Sequence, residues 1–293
     1  MKLSVSSYSF QQYINSGKLT QVSCIEKAKE MGFEGIEFID LSPKAEATLD
    51  DQLAYAEEIR AEANRVGIEI VAYTVGANLY RPDGKEADAE VERLCGQVRV
   101  AAALGAKLMR HDVCYWGKSP DGRVMSFDQM LPVMAKNARR VTEYAQTLGI
   151  RTCSENHGYT AQDSDRVERL YNAVNHPNYG LLVDIGNFAC VDEDSVTAVS
   201  RLAPYAIHAH AKDFIKRPFG LSPANSHCLT TRGMNTLVGC AIGEGDIPVE
   251  QCVAILRRAG YDGFLSVEYE GTGDCIEGIA KGLENLKTYV SRA

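Results

Sequence analysis

The sequence predicts an α/β fold, a single (β/α)8 or TIM barrel spanning residues 1–293, and three observations carry that expectation. Short apolar strand patterns alternate with amphipathic helix patterns eight times, glycines stop several of the helices, and no Pro/Ser/Gly-rich linker divides the series. A crossover helix between successive strands implies a parallel neighbour, and eight such units close a barrel, which favours it over a doubly wound sheet.

The elements run in order. "KLSVSSYSF" (2–10) reads as a strand and "SCIEKAKEMG" (23–32) as an amphipathic helix ended by Gly32. "GIEFID" (35–40) precedes a helix over 50–67, stopped by Gly67. "IEIVAYTV" (68–75) and "AKLMRHDV" (106–113) are followed by helices over 86–105 and 127–149. "IRTCSENH" (150–157), "YGLLVDIGN" (179–187) and "YAIHAHAKD" (205–213) lead into helices over 161–174, 193–203 and 248–260. "DGFLSVEYEG" (262–271) and a helix over 275–291 complete the set. One connection is anomalous, since residues 214–246 separate the seventh strand from its helix. A loop of that length in a compact domain is expected to be functional, often a lid.

Composition narrows the function. The chain is 45% hydrophobic and 24% charged, ordinary for a globular protein able to bury a large core. A net charge of −8 argues against nucleic acid, whose phosphates call for a basic surface. No apolar run is long enough for a signal h-region or a membrane span, so a cytoplasmic protein without a membrane partner is expected. The nine cysteines are odd in number, scattered and never arranged as CxxC, and are read as small buried hydrophobes.

In such a barrel the active site lies at the C-terminal ends of the strands. There the sequence places Glu155 ("CSENHG"), Asp184 ("LVDIGN"), His208 and His210 ("IHAHAKD") and Glu268 ("SVEYEG"), on the fifth to eighth strands. Three carboxylates converging without a cation repel one another, so either some stay protonated or a metal holds them. Two glutamates, an aspartate and a histidine form a hard, oxygen-rich set suited to one divalent ion, manganese, magnesium, cobalt or zinc, with positions left for substrate oxygens.

"GFEGIEF" (32–38), "ENHG" (155–158), "HAHAKDF" (208–214), "GEGDIP" (243–248) and "GYDGFLSVEYEG" (260–271) resemble the xylose-isomerase-like sugar isomerase/epimerase superfamily over essentially the whole chain. That group includes ketose 3-epimerases of the tagatose epimerase type, inosose isomerases and dehydratases, hydroxypyruvate isomerases and endonuclease IV. The resemblance implies metal ligands at Glu155, Asp184, His210 and Glu268, with Glu155 and Glu268 also serving as the acid/base pair. A divalent ion chelating a carbonyl and its neighbouring hydroxyl acidifies the carbon-bound proton and stabilises a cis-enediolate. Reprotonation on the opposite face inverts the centre, and on the neighbouring carbon it isomerises the sugar.

Further positions each carry two readings. His208 faces the same way as His210, as a partner orienting a ligand or as a core histidine. His157 is read as a substrate contact or a loop residue; His111, with Asp112, reaches a sugar hydroxyl or joins a structural pair with Arg110. Lys212 neutralises an oxyanion or holds an anion, or else pairs with Asp213 or Glu270. Trp116 is a wall for a sugar or ordinary packing, and Arg217 an anion contact or a solvated charge. Asn187 stands where the epimerases carry a histidine three residues after the aspartate ligand, so it hydrogen-bonds a hydroxyl but cannot titrate.

The leading expectation is a metal-dependent isomerase or epimerase acting on a small carbohydrate-like molecule. A dehydratase of the inosose type uses the same metal and base, and the motif does not separate the two. A binding barrel without turnover is a third reading, and an endonuclease lacks the extra histidines for three metals, His111 alone resembling one. Substrate, phosphorylation, metal identity and any homo-oligomer stay open.

Overall fold

The computed structural model describes residues 1–81, 83–115, 118–119, 121–221 and 228–293. Strands β1 (Lys2–Ser6), β2 (Gly35–Ile39), β3 (Glu69–Val75), β4 (Leu108–His111), β5 (Arg151–Glu155), β6 (Tyr179–Asp184), β7 (Ala206–Ala211) and the last strand, β11 (Phe264–Val267), pair in parallel. They close a barrel in the order β1-β11-β7-β6-β5-β4-β3-β2. The predicted fold class is therefore the observed one.

The first strand is shorter than its alternation predicts. The Ser6 hydroxyl accepts the Tyr8 N–H at 3.3 Å, and Ser7–Phe10 turn into a 3-10 segment leading to α1 (Gln11–Asn15). A serine that offers the backbone a local acceptor ends a strand that the pattern alone would continue.

The helices are α2 (Ser23–Met31), α3 (Leu49–Val66), α4 (Gly84–Leu104), α5 (Phe127–Thr147), α6 (Ser164–Val174), α7 (Ser195–Leu202), α8 (Val249–Arg258) and α9 (Cys275–Arg292). Gly32, Gly67 and Gly105 end α2, α3 and α4 in the left-handed conformation, at φ +92°, +75° and +79°. The starts of α3 and α5 carry reciprocal caps, Thr48 with Asp51 and Ser126 with Gln129, which satisfy backbone donors that no helical carbonyl reaches. All nine cysteines are free thiols, and six of them are buried. Among the described residues no helix is long and apolar enough to cross a membrane.

The long connection after β7 is not an irregular loop. It contains β8 (Asp213–Arg217), β9 (Cys228–Thr230) and β10 (Thr236–Cys240), an antiparallel sheet in the order β8-β10-β9. The sheet is tied to the loops after β5 and β6. Arg232 donates to Asp163 at 3.0 Å, the Tyr159 hydroxyl to the Thr230 carbonyl at 2.7 Å, and the Gly233 N–H and Asn235 amide to Asp192 at 2.6 and 2.9 Å.

At the base of this sheet Asp213 accounts for the "GEGDIP" stretch. Its carboxylate accepts the backbone N–H groups of Phe214, Gly243, Gly245 and Ile247 at 2.8, 2.9, 3.0 and 3.1 Å. Gly243 sits at φ +92°, and a Cβ on Gly245 would lie 2.6 Å from the Phe214 carbonyl, so the turn needs both glycines.

Candidate metal centre

Each donor is placed by the end of a strand. Glu155 and Asp184 are the last residues of β5 and β6, His210 lies near the end of β7, and Glu268 directly follows β11, its N–H donating to the Ala211 carbonyl at 3.0 Å. One ligand atom from each of the four comes within 4.8 Å of the other three. Nδ1 of His210 stands 3.9 Å from Glu155 Oε1, 3.7 Å from Asp184 Oδ2 and 3.6 Å from Glu268 Oε1.

The donors fit a metal on grounds of hydrogen bonding. Asp184 Oδ2 and His210 Nδ1 are fully buried and make no hydrogen bond, with the Lys212 ammonium beside Oδ2 at 3.1 Å as its ion-pair partner. Two such atoms facing one another are costly unless something between them accepts electron pairs from both, as a divalent cation does. The opposite oxygen of Asp184 is committed, accepting the N–H groups of Gly186 and Asn187 at 2.8 and 3.0 Å, which fixes the direction of Oδ2. Asn156 fixes the strand end itself, its side-chain amide spanning the N–H and C=O of Asp184 at 2.8 and 2.9 Å.

Behind His210 stands Glu37 of β2, completely buried, with Oε1 2.6 Å from His210 Nε2 and Oε2 2.5 Å from His208 Nε2. Burial opposes its charge, but the two imidazoles overcome that and hold the carboxyl well below the usual range. Ser266 donates to the same carboxylate at 3.2 Å and lies 2.6 Å from the Ser4 hydroxyl. His208 thus reaches the ligand through a shared carboxylate. The pair of histidines was legible in the sequence, but Glu37 was not.

The two glutamates have unlike surroundings. Burial raises the Glu155 carboxyl, and Arg110, 2.5 Å from Oε2, offsets part of the rise. Glu268 is less deeply placed, its side chain 11% exposed against 4% for Glu155, and Lys212 and His210 hold it well below the ordinary carboxylate range despite the desolvation it does suffer. Lys212 also lies 3.1 Å from Asp184 and 2.8 Å from Glu270, so its pairing with Glu270 is the realised alternative and Asp213 is not its partner. The Lys212 ammonium is buried, which disfavours its charge, but Asp184, Glu268 and Glu270 raise its pKa far above the usual value.

A cavity of about 300 Å³ opens over this cluster, lined among others by Tyr8, Asp40, Thr74, Arg110, Asp112 and His157. His157 contacts Asp112 at 2.8 Å, and burial of Asp112 is outweighed by Arg110, 2.8 Å away, and His157, which bring its carboxyl down to about 2. Other predicted positions fall differently. Asn187 does not face the cavity as a substrate contact, because its amide is spent on Glu155 Oε1 at 2.7 Å. His111 is turned into the core, where its Nδ1 lies 2.8 Å from the Asp112 carbonyl and its ring tilts toward Tyr179, so it stands apart from both the cavity and the metal donors. Arg217 is exposed on β8 and borders a separate depression with Asp192 and Asp194. Trp116 lies outside the described residues.

Sequence reasoning also passed over Arg110 as a partner of Glu155. The signal was present in "MRHD": two residues before an inward Asp112, a strand places Arg110 on the same face.

Comparison with known proteins agrees with this architecture. An inosose dehydratase from Lacticaseibacillus casei is 24% identical over 138 residues, 47% of this chain and 46% of that protein, so the match spans about half the length of each. The crystal structure of the IolI protein with a bound zinc atom superposes with a TM-score of 0.74 at 16% identity, covering 100% of this chain and 99% of that one. D-Psicose 3-epimerase from Clostridium cellulolyticum H10, solved with D-tagatose, gives a TM-score of 0.75 at 18% identity and covers 99% of both chains. Likeness at such identities establishes the fold alone. The family model matches residues 25–289, and the chain belongs to the xylose isomerase-like TIM barrel family.

Proposed function

We propose that the protein is a divalent-metal-dependent isomerase or epimerase of a sugar, sugar derivative or keto-polyol. The observation that carries this reading is the convergence of Asp184 Oδ2 and His210 Nδ1, buried and without hydrogen bonds, with Glu155 and Glu268 at adjoining strand ends. When bound there, a divalent ion supplies Lewis acidity toward a carbonyl and its neighbouring hydroxyl.

The chain's own residues supply the rest. Glu155 and Glu268 enter from β5 and from the end of β11, on separate sides of His210, and act as the proton-transferring pair. Arg110 and Asn187 occupy the two oxygens of Glu155 and set its direction, while Lys212 does the same for Glu268.

Metal analysis of chelator-stripped and reloaded protein tests the first half, with one ion per chain expected. Proton NMR in D₂O with ketoses, inososes and keto-acids tests the second. Exchange of a carbon-bound hydrogen that vanishes in Glu155→Gln and Glu268→Gln supports the reading, and tight metal binding with no exchange on any compound counts against it. The likeness to an inosose dehydratase favours one sibling reading, elimination of a hydroxyl from the same enediolate, which the same spectra would register as loss of substrate carbinol signals.

A further inference from the structure

We infer that the cavity takes an uncharged polyhydroxylated substrate and discriminates against its phosphorylated or carboxylated counterpart; this rests on the proposed function and narrows it. The argument is one of charge and of commitment. Five carboxylates line the cavity, from Asp40, Asp112, Glu155, Glu268 and Glu270, and Asp184 lies at its floor. The permanent cations in the lining are Arg110 and Lys212.

Both are already engaged. Arg110 bridges Asp112 and Glu155, and Lys212 bridges Asp184, Glu268 and Glu270. Among the described residues that line the cavity there is no further lysine or arginine, and the ten residues outside the described set include none. A divalent ion at the floor would leave six carboxylates facing four positive charges, and a protonated His157 would not reverse that sign. An entering phosphate or carboxylate therefore meets net repulsion in a partly desolvated space, with no guanidinium fork free to receive it.

The same lining suits hydroxyl groups. Asp40 and Glu270 are acceptors for O–H donors and the Tyr8 hydroxyl offers both roles, while Asp112 and Tyr115 are bonded to one another at 2.9 Å. Thr74 adds an independent mark: its Oγ1 is buried, belongs to a cavity-lining residue and has no hydrogen-bond partner. Asp40 stands at φ +32°, an unusual conformation for a non-glycine residue, held by its N–H bonding to the Thr74 carbonyl at 3.0 Å. Strain retained at the rim of a cavity is characteristic of a position fixed for contact.

The test uses the metal-loaded full chain. Hydrogen exchange in D₂O is compared for D-fructose against D-fructose 6-phosphate and for D-xylulose against D-xylulose 5-phosphate, with equilibrium dialysis of each pair alongside. Binding of the neutral member at least about tenfold tighter is expected, as one uncompensated charge at this range would produce. Phosphate esters that bind equally or better overturn the inference, whether or not any compound exchanges. Absence of exchange throughout sinks the isomerase reading instead, leaving the dialysis comparison to decide on charge. In a second arm, Glu270→Gln releases Lys212 from one partner, and binding of inorganic phosphate is expected to rise from undetectable in the wild type. Wild-type protein that already binds inorganic phosphate overturns the inference as well.

Discussion

Glu37 Oε1 lies 2.6 Å from Nε2 of His210, so a carboxylate on β2 decides which imidazole nitrogen of a β7 residue is turned to the three acidic donors. A partner of this kind fixes ring orientation and raises the basicity of the nitrogen that binds metal. Glu37→Gln is expected to weaken metal binding by roughly 10–100-fold, read by competition with a chromophoric chelator. Unchanged affinity in a folded variant would show that the ring is held by packing alone.

Lys212 and a divalent ion compete for the same carboxylates. Lys212→Met leaves Asp184, Glu268 and Glu270 without their ammonium partner, and loss of one side of a buried pair costs roughly 3–5 kcal/mol. The metal-free variant should melt earlier than wild type, whereas its metal affinity should rise, because the ion no longer shares Asp184 and Glu268 with an ammonium. Thermal scans with and without metal check both signs, and a variant whose two melting points fall together refutes the competition.

Asp112 governs part of the acid limb of stability. Its folded pKa of about 2 is below the unfolded value of roughly 3.9, so its contribution is present above about pH 4 and is lost as pH falls toward 2. The difference amounts to roughly 2–3 kcal/mol. Asp112→Asn should therefore flatten the dependence of denaturation midpoint on pH between about 4 and 2. His157, whose pKa Asp112 raises against the effect of burial, should titrate lower in the same variant by NMR.

Asp213→Asn removes the carboxylate shared by four backbone N–H donors, and an amide oxygen cannot serve them all. A loss of roughly 1–3 kcal/mol, or several degrees in Tm, is expected with metal affinity within about threefold of wild type. A collapse of metal binding would instead mean that the turn shapes the centre.

The barrel was legible because parallel strands carry near-continuous apolar runs and glycines mark three of the early helix ends. The donors were legible because Glu155, Asp184, His210 and Glu268 interrupt such runs at the one end where function sits. The sheet of β8, β9 and β10 was not, since Phe214, Ile215, Leu229 and Leu237 are too few and too widely separated to set a period. Glu37 was hidden inside "GIEF", where an acid on a strand reads as an exposed face until the long-range pairing with His208 and His210 is seen. Arg110, Asn156 and Asn187 act through contacts 28 to 45 residues distant in sequence, which local pattern cannot weigh.

The seam where β1 meets β11 has a consequence for biosynthesis. Glu268 follows the last strand, and Ser266, which supports Glu37, bonds across the seam to Ser4. A chain whose synthesis has not yet reached β11 holds three of the four donors, and the residue that aims His210 lacks its hydroxyl support until Ser266 is made. Assembly of the full donor set is thereby coupled to synthesis of β11, so copies terminated before it would be born with an incomplete centre and would compete less well for the ion in the cellular pool.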